Sequence, residues 1–67
     1  MNLREIQTRI DDIYDKKDDD EVAHRLEDAL HQAVLGAIAT NSCTDPPDAC
    51  AALALRTQTI DFDRWCA

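Results

Sequence analysis

Residues 21–39 are the part of this sequence that most constrains what the chain can fold into. Apolar side chains recur there at the spacing of one face of a helix, and charged side chains lie opposite. Gly36, the one glycine of the chain, comes late in the segment, where it destabilises a helix least. The pattern predicts a long amphipathic helix over about residues 19–40. Its apolar face consists of Val22, Leu26, Ala29, Leu30, Ala33, Ala37 and Ile38.

A shorter amphipathic segment precedes it and predicts a helix over about residues 2–17. The aspartate run at positions 18–20 interrupts the helical pattern, because aspartate favours N-caps and first turns over helix interiors. A break this short predicts that the two helices form an antiparallel hairpin. The apolar stripe of the first helix consists of Leu3, Ile6, Ile10, Ile13 and Tyr14.

The sequence after the long helix predicts two more helical pieces. Asp45 is suited to be an N-cap and Pro46 to be the first residue of a helix over about residues 46–57. The tail is too apolar for a loose end and predicts a short fourth helix over residues 60–66. The fold class is therefore all-α: one small helical bundle spanning residues 1–67.

The size of the chain favours self-association into a homo-oligomer. A 67-residue chain buries only about 60% of its unfolded surface, and many of its apolar residues are alanines that add little burial. Apolar side chains also spread around more than half of the long helix. Two large aromatic residues, Phe62 and Trp65, could bind a second chain or, alternatively, close the core of their own chain. The predicted interface anchors are Leu35, Ile38, Phe62 and Trp65.

The charge balance restricts the partners of the chain. Fourteen acidic residues stand against seven basic ones, which argues against binding to nucleic acid phosphates or to an anionic membrane surface. A basic protein surface fits better, for example that of a nucleic-acid-binding protein. The alternative is that the charge serves solubility alone. The densest carboxylates form a predicted partner-binding ridge, called the acidic ridge below: Asp11, Asp12, Asp15, Asp18, Asp19 and Asp20.

One local cluster has side chains that could bind a metal or small molecule: His24, Glu27, Asp28 and His31 lie along one flank of the long helix. The histidines are seven positions apart, unlike the four of an HExxH motif, so a shared ion would need a carboxylate or a second chain. The alternative is that both histidines are half-covered boundary residues. We expect no cofactor and no catalysis, because no phosphate-binding glycine loop or enzyme motif is recognisable.

The three cysteines, Cys43, Cys50 and Cys66, cannot all pair within one chain. A disulfide between Cys43 and Cys50 would close a small loop. The same two cysteines could bind zinc together with His31 and Cys66, but they are farther apart in the sequence than the usual C-x₂₋₄-C pair. We expect a reduced, structural pair. The start of the sequence carries no apolar signal segment, and no apolar run approaches a membrane span, so a cytoplasmic protein is expected.

Together these features predict a non-catalytic interaction protein that binds and blocks another macromolecule. The size, charge and helical composition are typical of accessory proteins of phages and other mobile elements, including inhibitors of host defence. The alternative is an oligomeric metal or small-molecule binder built on the histidine flank. Within the acidic ridge, Asp15, Asp18 and Asp19 are expected to contribute most to the association rate.

Overall fold

The computed structural model describes residues 1–64 and consists of helices packed on one another. These are α1 (Leu3–Asp15), α2 (Asp20–Ala39) and α3 (Pro47–Leu55), followed by a 3₁₀ helix (Arg56–Thr59). Every pair among the three α-helices is in contact, and no strand occurs in residues 1–64. The prediction of a small all-helical bundle is confirmed for this part of the chain.

Helix α1 forms because one side of it is apolar and its first turn is capped. The side chain of Asn2 accepts a hydrogen bond from the Glu5 amide at 2.8 Å. Ile6, Ile10 and Ile13 are buried, as the stripe predicts. Tyr14 is instead 54% exposed, so the buried stripe is narrower than expected. The helix ends at Asp15, two residues earlier than predicted, because residues 16–18 form a turn.

Helix α2 has defined signals at both ends. The Asp19 side chain accepts from the Val22 amide at 3.2 Å, which caps the N-terminus. At the other end Asn41 adopts a left-handed φ of 57°. The Ser42 amide then donates to Ala37 O at 2.7 Å and the Asn41 amide to Ile38 O at 3.1 Å, the Schellman pattern of a helix C-terminus.

The buried side of α2 differs from the predicted one. It consists of Ala23, Glu27, Leu30 and Val34, whereas Ala29, placed on the predicted apolar face, is exposed. On a helical projection the buried side is rotated by roughly 70° from the predicted face. The physical reason is that Glu27, which the pattern placed on a flank, is buried as an ion pair with Arg64, so its side of the helix can face the core.

The third helix begins one residue later than predicted, with Pro46 as N-cap and Pro47 as its first residue. Asp45 caps a different helix: its Oδ2 accepts from the Leu3 amide at 2.8 Å, at the start of α1. The Met1 ammonium donates to Ser42 O at 3.1 Å, and the Thr44 amide donates to Met1 O at 2.9 Å. The N-terminus therefore holds the loop between α2 and α3.

The predicted fourth helix over residues 60–66 is wrong for the residues that can be described. Ile60 has an extended backbone with ψ 129°, and residues 61–64 form no helix. The carbonyl oxygens of Thr57 and Ile60 accept from the Arg64 guanidinium at 2.7 Å and 3.0 Å. These bonds favour a folded-back segment over a helix. Residues 65–67, and with them Trp65 and Cys66, lie outside the described part.

Side chains from all three helices and from the C-terminal segment form one core. Ile6, Ile13 and Leu30 are its largest fully buried apolar side chains. Ile60 and Phe62 are also buried, although the residues between and after them are exposed. This alternation of buried and exposed positions fits an extended segment. Phe62 thus closes the core of its own chain, the alternative that the sequence left open for it, and its role as an interface anchor stays a prediction.

Candidate functional site

The acidic ridge lies at the end of the molecule where α1 stops and α2 begins. All six of its aspartates are exposed, as is the adjacent Glu21. The turn at residues 16–19 brings the last turn of α1 next to the first turn of α2, which concentrates the carboxylates in space. The exposure that the sequence implied for these residues is therefore present; their role in binding stays a prediction.

Three of the ridge aspartates have partners within the chain. Asp19 caps α2, and Asp11 Oδ1 accepts from Gln7 Nε2 at 3.0 Å. Asp20 Oδ1 accepts from the Asp63 amide at 3.1 Å, which ties the C-terminal segment to the start of α2. These three carboxylates already contribute to the fold, Asp19 most directly.

The other three ridge aspartates, Asp12, Asp15 and Asp18, form no hydrogen bond or ion pair with residues 1–64. Asp12 and Asp15 belong to the last turn of α1, where the negative end of the helix dipole disfavours a carboxylate. No basic residue lies in that turn to offset it. Asp12 and Asp15 therefore gain no stabilisation from that turn, whereas Asp18 is attracted by the nearby charge of Lys17.

The C-terminal segment adds carboxylates that sequence reasoning did not assign to the ridge. Lys17 lies over the Tyr14 ring, 4.1 Å from its centroid. The hydrogen bond with Tyr14 is the main cause that raises the pKa of Lys17, and the nearby charges of Asp18 and Asp61 add to it. Asp61 is thus close to the ridge, and Asp63 joins it through Asp20. The signal available in the sequence was the alternation of acidic and apolar residues over positions 60–63.

Glu27 does not act as a free ligand on the helix flank. Its side chain is 6% exposed and forms a two-point ion pair with Arg64, whose Nε and Nη2 donate to its two oxygens at 2.9 Å and 3.1 Å. Burial raises the pKa of Glu27, but hydrogen bonds from Arg64 and Thr57 outweigh burial and leave that pKa below its ordinary value. Glu27 is therefore an ionised, paired core residue.

The histidines face different neighbours. His24 Nε2 lies 3.6 Å from the Asp28 carboxylate, one turn along α2. His31 Nε2 lies 3.2 Å from Ala54 O and 3.0 Å from Thr57 Oγ1. The structure therefore divides the predicted cluster: His24 and Asp28 pair with each other at the surface, whereas Glu27 and His31 share Thr57 as a hydrogen-bonding neighbour. Within residues 1–64, no group of three or more His, Cys, Asp or Glu side chains is placed to hold a metal ion.

An apolar groove lies between α2 and α3. It has a volume of about 220 Å³ and is apolar apart from His31. Leu35 and Leu55 on its rim are 66% and 55% exposed. Of the predicted anchors, Leu35 is thus available to a partner, whereas Ile38 is partly buried and packs on the core. The groove is lined by His31, Val34, Leu35, Ala51, Ala54 and Leu55.

A second cleft, of about 260 Å³, lies between α1, α3 and the 3₁₀ helix. Asp11, Tyr14 and Arg56 contribute polar atoms to its rim, and all three side chains are exposed. A general acid or base is expected in a pocket that holds it away from water. These three groups are instead open to solvent.

Comparison with known proteins does not add a function: no family model, no curated protein and no solved structure matches the chain. Of the helices in residues 1–64, none combines the length and apolar composition that a membrane crossing needs. The candidate functional surfaces are therefore those given by the geometry itself, namely the acidic ridge and the apolar groove.

Proposed function

We propose that this chain is a non-catalytic interaction protein whose acidic ridge binds a basic surface of another macromolecule. The observation that carries the proposal is the placement of Asp12, Asp15 and Asp18. All three are exposed, lie at one end of the molecule and form no hydrogen bond or ion pair with residues 1–64. Carboxylates that the fold does not use are available to meet lysine and arginine side chains.

The partner that fits this surface best is a nucleic-acid-binding protein. Such proteins present clustered lysine and arginine side chains to the phosphate backbone, and a dense row of carboxylates can occupy the same site. Binding there would block the host macromolecule, which is the action of a phage or mobile-element inhibitor in the cytoplasm. The proposal rests on size, charge and exposure. The competing interpretation is that the ridge only maintains solubility.

Charge neutralisation of the three unpaired aspartates tests the proposal. Wild type and Asp12→Asn/Asp15→Asn/Asp18→Asn would be immobilised and exposed to a bacterial lysate, and proteins retained only by wild type identified by mass spectrometry. Association rates of the purified pair would then be measured against salt concentration. We expect about a tenfold slower association of the variant at low salt and a weaker salt dependence.

The matched control removes three charges away from the ridge: Glu5→Gln/Asp28→Asn/Asp48→Asn. All three positions are exposed, and the total change in charge equals that of the ridge variant. This control should retain the partner with a near-wild-type association rate. Retention of the same proteins by all three forms, or equal losses of rate in both variants, would overturn the proposal.

We propose further that a second copy of the chain covers the apolar groove. Leu35 protrudes beside a groove large enough to receive an apolar side chain, so two copies can each insert a leucine into the other, as a twofold interface requires. Leu35 lies 15 positions after Asp20, about 22 Å along α2. The acidic ridges of the two copies therefore need not approach and repel each other in the dimer. No carboxylate lines the groove.

Light scattering tests the self-association. We expect a dimer mass at ~100 μM and a shift to monomer for Leu35→Gln. Tyr14→Gln is the control, because Tyr14 is exposed to a similar degree but lies away from the groove. A monomeric wild type, or a dimer that Leu35→Gln leaves intact, would overturn this part of the proposal without affecting the ridge.

A further inference from the structure

Two cysteines meet where the loop after α2 packs on α3. Both Cys43 and Cys50 are free thiols. Cys50 is fully buried in the core, and Cys43 is partly exposed and packs against that core. The Cys50 Sγ points back at the loop that carries Cys43 and lies 4.0 Å from Asp45 O. The Cys43 thiol is near enough to raise the pKa of Cys50. Both thiols therefore lie at the same corner of the fold, between the loop and the start of α3.

The loop that carries Cys43 is fixed on both sides. Ser42 accepts from the Met1 ammonium at 3.1 Å, and the Thr44 amide donates to Met1 O at 2.9 Å. Asp45 is held by the Leu3 amide at 2.8 Å. Because these contacts place the residues before and after Cys43, its position beside Cys50 is built into the fold.

The two thiols have different access to solvent. Burial raises the pKa of the Cys50 thiol, and the neighbouring Cys43 raises it further, so Cys50 resists direct reaction with a reagent in solution. Cys43 is partly exposed and is the sulfur that a small molecule can reach. Cys43 would thus react first, and Cys50 would resolve the product.

We propose that Cys43 and Cys50 form a reversible intrachain disulfide and make this corner of the fold a redox modification site. The oxidant is a low-molecular-weight disulfide, RSSR. The Cys43 thiolate attacks one sulfur of RSSR, forms a mixed disulfide and releases RS⁻. Cys50 loses its proton and attacks the Cys43 sulfur, which releases the second RS⁻. Two protein thiols are oxidised, and one RSSR is reduced to two thiols.

The cross-link joins the loop to the second turn of α3, next to the contacts of Met1. It therefore stabilises the docking of the N-terminus as well as the start of α3. A disulfide between two thiols that the fold already brings to one corner should raise the melting temperature, by about 10 °C for a chain of this size, and a reductant should reverse the shift.

The test uses the full chain carrying Cys66→Ser, so that only the proposed pair can react. The folded protein is incubated with glutathione disulfide, and its remaining thiols are alkylated after denaturation. We expect no alkylated cysteine, a mass lower than that of the reduced protein by two hydrogen atoms, and a cross-linked peptide containing both residues. A stable glutathione adduct, or two thiols that remain free, would overturn the proposal.

Single variants separate the two roles in the same background. Cys50→Ala should trap the glutathione adduct at Cys43, because the resolving thiol is missing. Cys43→Ser should leave Cys50 unmodified while the protein is folded. Rapid modification of Cys50 in that variant would contradict the order of reaction. The Cys66→Ser protein, which keeps both Cys43 and Cys50, decides the main proposal even if Cys50→Ala destabilises the fold.

Discussion

At Glu27, one carboxylate determines how two distant parts of the chain meet. Arg64 lies 37 positions later and donates both to Glu27 and to the carbonyl oxygens of Thr57, Ile60 and Phe62. Its guanidinium also lies 3.9 Å from the centre of the Phe62 ring. The ion pair therefore attaches the C-terminal segment to the middle of α2 and positions Phe62 in the core.

Removing the Glu27 charge should destabilise the fold at neutral pH. Glu27→Gln leaves the partly buried Arg64 without its counter-ion, and we expect a loss of about 2 kcal/mol in the free energy of unfolding. The measurement is urea denaturation of wild type and variant at several pH values. Glu21→Gln, a change of the same kind at an exposed first-turn position of the same helix, should cost less than about 1 kcal/mol, the contribution of the helix dipole.

The pH dependence of this loss follows from the lowered pKa of Glu27. Because the folded pKa lies below the ordinary value of 4.5, the ion pair contributes in full above pH 4.5. Its contribution is lost as the pH falls through the folded pKa, so the difference between wild type and Glu27→Gln should shrink on acidification. A difference that stays constant from neutral to strongly acidic pH would contradict this assignment.

At the level of elements, the positions of the helices could be predicted and the rotation of α2 could not. Helix periodicity, the Asp19 cap and the proline pair at positions 46 and 47 act within a few residues, and they placed three helices to within about two residues of their observed ends. The rotation depends on Glu27 being neutralised by a residue 37 positions away, which no local pattern contains. The extended C-terminal segment depends on the same arginine.

Glutamine substitutions on the two sides of α2 should show which side is buried. Ala23 is 0% exposed, so Ala23→Gln must force a polar side chain into the core, and we expect a loss of about 3 kcal/mol or more. Ala29 is exposed, although the sequence pattern placed it on the apolar face, and Ala29→Gln should change stability by less than about 0.5 kcal/mol. Thermal unfolding followed by circular dichroism distinguishes them. A larger loss for Ala29→Gln than for Ala23→Gln would favour the face that the sequence predicted.

Across the whole molecule, the exposure of the acidic ridge could be predicted from the sequence, whereas the exposure of the predicted interface anchors could be predicted only in part. The ridge aspartates are exposed because a carboxylate without a buried partner stays in water, a rule that needs no tertiary information. The fold adds Asp61 and Asp63 to the same region. Whether an aromatic side chain faces a partner or its own core depends on the path of the chain, which placed Phe62 inside.

The placement of the ridge on the fold should lower the stability of the chain, and this can be measured. Asp12 and Asp15 are in the last turn of α1, at the negative end of the helix dipole and beside other carboxylates. Asp12→Asn/Asp15→Asn keeps size and helix propensity while removing two charges from a chain of net charge −7. We expect a gain of about 1 kcal/mol, seen as a rise of about 5 °C in melting temperature at low salt.

Salt and a charge at the opposite end of the same helix provide the controls. The gain should shrink in ~0.5 M NaCl, because screening weakens both the repulsion and the dipole interaction. Glu5→Gln should have the opposite sign, since Glu5 is in the first turn of α1, where a carboxylate is stabilised. A double variant no more stable than wild type would mean that the ridge carries no energetic penalty, and solubility would then suffice to explain it. A more stable variant that binds its partner more slowly would show that the chain retains these aspartates for association.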